Sequence, residues 1–488
     1  MIETLPSINS VDIEENRSLL YNEASKFENL DLNVISNAYR ICVETHKNQK
    51  RKDKQPYYTH PLTTALYYLT LFDKPDTASV AAALLHDTIE DSKDRKEKSD
   101  EIRNIFGDEI FELVDGLTNI RGSDYDEAIS FGKLMIEMIK DYRVMLIKLC
   151  DRLHNMVTLG VFKEAKQKEI SEETLEFFVP AARWVGNWKI KQLLEDVAFS
   201  YLNQKKYVSI RKQLDKRFKL FGGVINDLEH KITEVLKYYN IGYTLTASHK
   251  TPYEIYQLSE REKIPVEQID NFYSMVLSLN SNDTPDCYYV LGILYKYFTP
   301  IDFTDYISYP KFNLFQSLLI HLYNNDGRKI EVLIRTDQMD EIATKGFLTA
   351  FDKTQINTLN MSHSEIEHLY QWMMRVIDNH GEEATQKIWE MVKNNFYHQE
   401  INVFYKGEQY RLPQKATMLD LAFIIDEQKA LYFNHAIIDS KEKPYFSKLN
   451  DKDSVEIIYS DEQQISKDWV RNVVLFKAIL AIDKFFKN

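Results

Sequence analysis

The chain has 488 residues, enough for two to four domains that each bury a core. Apolar residues make up 44%, charged residues 28%, and the formal charge is −13. That acidic balance excludes a protein gripping nucleic-acid phosphates over a broad face, while leaving room for a local basic pocket around one phosphorylated small molecule.

Three cysteines, Cys42, Cys150 and Cys287, show no paired spacing, which excludes zinc knuckles and a disulfide framework and points to a reducing cytosol. The opening MIETLPSINSVDIEEN lacks the basic start and apolar stretch of a signal peptide. The most apolar run, Val470 to Phe486, is broken by Arg471, Lys477, Asp483 and Lys484, so no membrane span is expected.

In chain order, residues 1–205 read as helices joined by short loops, an all-α domain. Apolar spacings of three and four recur in VISNAYRICVETH, PLTTALYYLTLF, ASVAAALLHDTIED and DYRVMLIKLCDRLHNM. Over 206–360 a helix, FGGVINDLEHKITEVLKYYN, leads into the strand-like runs YTLTA, FYSMVLSLN, KFNLFQSLLIHLYN and KIEVLIRT, which predict an α/β domain. A polar, helix-rich linker covers 361–399. INVFYKGEQYRLP then reads as a hairpin, ATMLDLAFII as a helix and SVEIIYS as a strand, predicting a small β-grasp-like module over 400–462. An amphipathic helix over 463–488, suited to docking on the body or on a partner, follows.

The chemistry concentrates in HDTIED, residues 86–91. Read as a continuation of the helix ASVAAALL, this segment places His86 and Glu90 on one face and Asp87 and Asp91 on the next. So many ionisable groups at the end of an apolar helix cost solvation unless a cation binds them, although acidic residues ending a helix also simply face water. Two further segments favour the cation. Asp151 follows the buried run VMLIKL, and His60 stands at a helix start before Pro61. His60, His86, Asp87 and Asp151 make a donor set for Mn, Fe or Zn with positions left for water. Glu90 and Asp91 are placed to accept that water's proton. Arg51 and Lys52 supply charge for a phosphate or a face for a base, with a solvated basic loop as the plainer reading.

THKNQKRKDKQPYYTHPL, ALLHDTIEDS, VDGLT and RVMLIKLCDRLHNMVTL resemble, in order and spacing, the hydrolase domain of RelA/SpoT homologues, which make and degrade the alarmone (p)ppGpp. The resemblance covers about residues 20–475. It implies that His60, His86, Asp87 and Asp151 hold manganese, that Glu90 and Asp91 are the catalytic acidic pair, and that Arg51, Lys52 and Asn155 hold the nucleotide. The implied reaction releases pyrophosphate from the 3′ position, leaving GDP or GTP. Arg183-Trp184 departs from a usual His-Arg pair.

The middle region resembles the family's nucleotidyltransferase-like synthetase domain with its chemistry eroded. Lys250, Tyr253, Asp270 and Glu331 are retained, while Ser248, Met275 and the pair Leu314-Phe315 replace an Arg, an Arg and a Gly-Tyr pair. Glu254, Leu319 and Thr344 replace a Ser, a His and an acidic residue. Pyrophosphoryl transfer depends on positioning and charge neutralisation around phosphates, so these losses imply an inactive pseudo-synthetase. Residues 401–460 resemble a TGS domain, a place for a protein partner, and the chain stops without the further C-terminal modules of long family members. Two other functions stay open: an HD phosphohydrolase acting on another nucleotide, and a non-catalytic alarmone sensor.

Overall fold

The α4 helix of this protein, Thr77–Leu85, is buried along almost its whole length and forms the hub of the helical region. The computed structural model describes residues 5, 6, 8, 11–72, 74–118, 134, 141–185, 187–269, 272–308, 315–323, 329–345 and 400–487. The linker predicted over 361–399, and with it Asp270 and Leu314, lies outside the described residues. Among the described residues, those up to 118 together with 141–345 make one compact unit, and 400–487 make another. No helix among them is long and apolar enough to cross a membrane.

The helices before residue 205 are α1 (Ile13–Ala24), α2 (Leu32–His46), α3 (Thr59–Leu71), α4, α5 (Arg95–Thr118), α6 (Arg143–Val157), α7 (Glu164–Glu173), α8 (Val179–Trp184) and α9 (Trp188–Leu202). Local chemistry sets several starts. Asp31 accepts the amides of Asn33 and Val34 to cap α2, and Asp76 accepts that of Ser79 to cap α4. Gly107, with φ 82° and ψ 177°, breaks α5 into two pieces, a backbone state open to glycine at little cost. Small alanines fill much of α4, with Val80, Leu84 and Leu85 fully buried, so α2, α3, α5 and α6 pack closely around it. That packing brings the first turn of α3, the end of α4 and the middle of α6 to one place.

The long α10 (Gln204–Tyr238) starts at the predicted domain boundary and carries the chain into a five-stranded mixed sheet. Its strands are β1 (Tyr243–His249), β2 (Tyr273–Leu279), β3 (Thr299–Asp305), β4 (Leu318–Tyr323) and β5 (Lys329–Thr336), in the order β1-β2-β5-β4-β3, with only β2 and β5 parallel. Helices α11 (Pro252–Glu262), α12 (Thr284–Tyr297) and α13 (Asp337–Lys345) complete the α/β region. Leu228, Ile232 and Leu236 of α10 and Val290 and Leu294 of α12 cover one face of the sheet, against Met275, Leu277, Ile320 and Val332. The opposite face presents Ser274, Glu331 and His321 side by side on β2, β5 and β4. Sequence periodicity misses β3, because TPIDFTD is a largely exposed edge strand whose only alternating apolar residues are Ile301 and Phe303, with a Pro tolerated only at an edge.

The second unit is built from β6 (Glu400–Tyr405), β7 (Glu408–Pro413), α14 (Met418–Ile425), α15 (Glu427–Ala430), β8 (Phe433–Ile438), β9 (Lys441–Lys443), β10 (Ser454–Tyr459) and α16 (Phe476–Lys487). The sheet order is β7-β6-β10-β8-β9, with β6 and β10 parallel at its centre. Lys406 and Gly407, both at positive φ, make the tight turn of the predicted hairpin. The predicted C-terminal helix starts later, at Phe476, and docks on α14. The fully buried Asp420 carboxylate accepts the backbone amides of Val474 and Leu475, which fixes where α16 begins.

Candidate metal centre

His60 stands in the first turn of α3, His86 caps the end of α4, and Asp151 projects from the middle of α6; all three are almost completely buried. Donor atoms from the three lie within 4.8 Å of one another. His60 Nε2 is 3.0 Å and His86 Nε2 4.0 Å from Asp151 Oδ1. Asp87 stands beside both rings, its Oδ2 3.7 Å from His60 Nε2 and 3.3 Å from His86 Nε2, and accepts the Tyr57 hydroxyl at 2.9 Å. The four predicted ligands thus converge, with His60, His86 and Asp151 as the tight group.

These atoms suit a divalent cation. His86 Nδ1 donates to the Ala83 carbonyl at 2.9 Å, so the lone pair sits on Nε2. That Nε2 is buried, with the Asp87 carboxylate 3.3 Å away. A lone pair facing carboxylates in a dry site is compensated by a cation placed between them. Burial pushes the His60 imidazole down to about 4, keeping it neutral. Burial also acts to lower His86, but the adjacent Asp87 carboxylate outweighs it. For Asp151, burial acts upward, yet the Lys148 ammonium at 2.6 Å holds the carboxyl well below its ordinary range.

One expectation is overturned. HDTIED does not continue α4, which stops at Leu85; residues 86–91 run on as turns, held by the Thr88 amide on the Leu85 carbonyl and the Asp91 amide on the Asp87 carbonyl. The turns replace the two-face arrangement predicted for a regular helix. Glu90 Oε2 is shielded from solvent, and Asp91 Oδ2 lies 3.6 Å from His46 Nδ1. The Arg51 guanidinium reaches Asn155 Oδ1 at 3.3 Å and Thr158 Oγ1 at 3.0 Å, and Asn155 Nδ2 donates to Asp151 Oδ1 at 2.7 Å. Lys52 Nζ sits 4.1 Å from the Phe162 ring centroid. Arg183 is exposed on α8.

Several residues escaped sequence reasoning. His154 Nδ1 lies 2.7 Å from His60 Nδ1, and its ring stacks on His60 with centroids 5.0 Å apart. Lys148 and His154 both stand three residues from Asp151, so helical spacing puts all three on adjoining faces of α6, a signal readable in KLCDRLHNM. Tyr57 and His46, whose rings lie 4.8 Å apart, gave no such signal, because only the fold brings them to the site.

In the α/β region two of the retained residues, Lys250 and Glu331, partner each other. Lys250 Nζ lies 3.5 Å from Glu331 Oε1, which also accepts the Ser274 hydroxyl at 2.8 Å, and His321 Nε2 is 3.7 Å from Glu331 Oε2. His321 in turn bonds Asp302. Met275 lies in the core on the other face of the sheet. Glu254 caps α11 and pairs with Lys191 of α9 at 2.7 Å. Tyr253 is half-buried near Phe199, and Leu319 lies on β4.

A family described as HD domain matches residues 38–188, and one described as a region found in RelA / SpoT proteins matches residues 247–357. A guanosine-3′,5′-bis(diphosphate) 3′-pyrophosphohydrolase of Aquifex aeolicus is 34% identical over 93% of this chain and 64% of its own length. A GTP pyrophosphokinase of Myxococcus xanthus is 32% identical over 94% of this chain and 61% of its own length. The chain therefore spans a little under two thirds of the curated relatives it matches. With the candidate metal centre inside the first matched region, most of the mixed sheet inside the second, and relatives aligning through both, the chain belongs to the RelA/SpoT family.

Proposed function

We propose that this protein is a metal-dependent (p)ppGpp 3′-pyrophosphohydrolase of the cytosol, and that its synthetase-like region makes no alarmone. The observation that carries this is the buried His60–His86–Asp151 group with Asp87 alongside, seated in the HD-matched residues. Manganese held by His60, His86, Asp87 and Asp151 would acidify a water and neutralise a phosphate oxygen. Glu90 and Asp91 take the proton of a water attacking the phosphorus on the ribose 3′ oxygen. That phosphorus–oxygen bond breaks, the proton passes on to the departing 3′ oxygen, and pyrophosphate leaves with GDP or GTP behind. Lys52, Arg51 and Asn155 offer cationic and amide groups to the nucleotide.

The inactive synthetase is supported by the Lys250–Glu331 pair, in which the retained cation and acid neutralise each other, and by Glu254, which is engaged with Lys191. The unit over 400–462 is read as a TGS-like module offering a surface to a protein partner. The test is one purified sample with manganese, given ppGpp and, separately, GDP with ATP. Pyrophosphate release from the first and no ppGpp from the second is the expected result. Absence of hydrolysis with metal present would sink the assignment, and faster turnover of dNTPs or NADPH would redirect it to another nucleotide.

A further inference from the structure

The Arg51 guanidinium reaches two different metal-ligand helices through two intermediaries. Its Nη1 lies 3.2 Å from His154 Nδ1, and that same Nδ1 lies 2.7 Å from His60 Nδ1. Its Nη2 lies 3.3 Å from Asn155 Oδ1, and the amide nitrogen of Asn155 donates to Asp151 Oδ1 at 2.7 Å. Guanidinium groups only donate. A ring nitrogen facing Arg51 therefore presents its lone pair, which makes His154 Nδ1 an acceptor. That single lone pair is shared between Arg51 and the closer His60 Nδ1, which therefore carries the hydrogen, and His60 Nε2 is left with its own lone pair, aimed at the centre beside Asp151. By the same logic, Asn155 must turn its oxygen toward Arg51 and its amide toward Asp151.

Resting on the hydrolase assignment above, we infer that Arg51 is a positioning residue of the metal centre. Through His154 it fixes the tautomer of His60, and through Asn155 it fixes the orientation of the Asp151 carboxylate. His86 needs no such device, because the Ala83 carbonyl sets its tautomer directly. Arg51 sits on the loop between α2 and α3, whereas His154 and Asn155 lie in the last turn of α6, so the link also ties that loop to the metal helix.

The experiment measures Mn(II) dissociation constants by electron paramagnetic resonance on the metal-stripped full chain, with no nucleotide present. Arg51→Met and His154→Leu should each weaken Mn(II) binding by roughly 10–100-fold, the usual scale for losing a group that orients a ligand. His154→Asn, which restores an acceptor near the Nδ1 position, should recover most of that loss. Thermal melting of each metal-free variant shows whether it is folded; if His154→Leu is not, Arg51→Met decides. Wild-type Mn(II) affinity in Arg51→Met, with only KM for ppGpp raised, overturns this inference and leaves the hydrolase assignment standing. Failure of the wild-type chain itself to bind Mn(II) overturns both.

Discussion

Lys191 Nζ lies 2.7 Å from Glu254 Oε1 and 2.7 Å from Glu195 Oε2, so one buried ammonium joins α9, the last helix of the helical region, to α11 of the α/β region. Removing that cation strands two carboxylates in a dry contact. Lys191→Met should destabilise the chain by about 3–5 kcal/mol, the scale for breaking a buried pair from one side. Urea unfolding of variant and wild type checks it; a change near zero would mean the carboxylates reach water once Lys191 is gone.

The same cluster predicts a pH dependence. One ammonium cannot neutralise both acids, and Glu254 also accepts the Thr251 amide at 2.9 Å. Burial, helped by repulsion from Glu254 and opposed by Lys191, pushes Glu195 from its ordinary 4.5 up to about 7. The folded chain keeps a proton there that the unfolded chain releases. That stabilising contribution is full below the unfolded value and is lost as pH rises through the folded one. Wild type should therefore lose more stability than Glu195→Gln between about pH 5 and about pH 8, read from denaturation midpoints. Parallel losses in the two proteins would exclude Glu195 as the source.

Separating the metal ligands from the acidic pair makes a third prediction. Glu90→Gln should bind Mn(II) as wild type does and lose about 10²–10⁴-fold in kcat, the range for a general base. Asp151→Asn should lose the metal itself. Metal titration beside steady-state kinetics distinguishes the two, and weak metal binding by Glu90→Gln would move Glu90 into the ligand set.

Restoring the family's arginine at position 275 should fail for a structural reason. Met275 is fully buried among Leu277, Ile320 and Val332, so Met275→Arg places an unpaired charge in that core. A loss of more than about 4 kcal/mol is expected, with no ppGpp made from GDP and ATP. A stable variant that gains synthesis would show that the region lacks only this residue.

In the second unit, Asp420 both caps α14 with Thr417 and holds the amides of Val474 and Leu475. Asp420→Ala loses the cap and leaves buried donors unpaired, a cost of about 2–5 kcal/mol. Hydrogen exchange should show α16 exchanging faster than the β6–β10 sheet. Unchanged protection of 476–487 would mean that the apolar face of α16 suffices alone.

Much of the site was written in local patterns. HDTIED, THPL and LCDRLHNM named the four converging residues, because burial of short apolar runs forces the polar groups at their ends into the interior. The helical region, four of the five α/β strands and the hairpin, helix and final strand of the second unit followed from periodicity. Edge strand β3, strand β8 and the short β9 did not; β3 and β9 are largely exposed, while the alternately buried β8 is short and went unread.

By itself, the sequence determined which residue types could hold a cation and near which helices they lie. Only the tertiary structure decided how they are held. HDTIED leaves the helix at Leu85 rather than extending it, and Tyr57, His46 and Arg51 enter the site from a loop and a neighbouring helix. The reason is physical. A donor set depends on distances of a few ångströms between side chains remote in the chain, and close packing around the Ala-rich α4 sets those distances, not any local pattern.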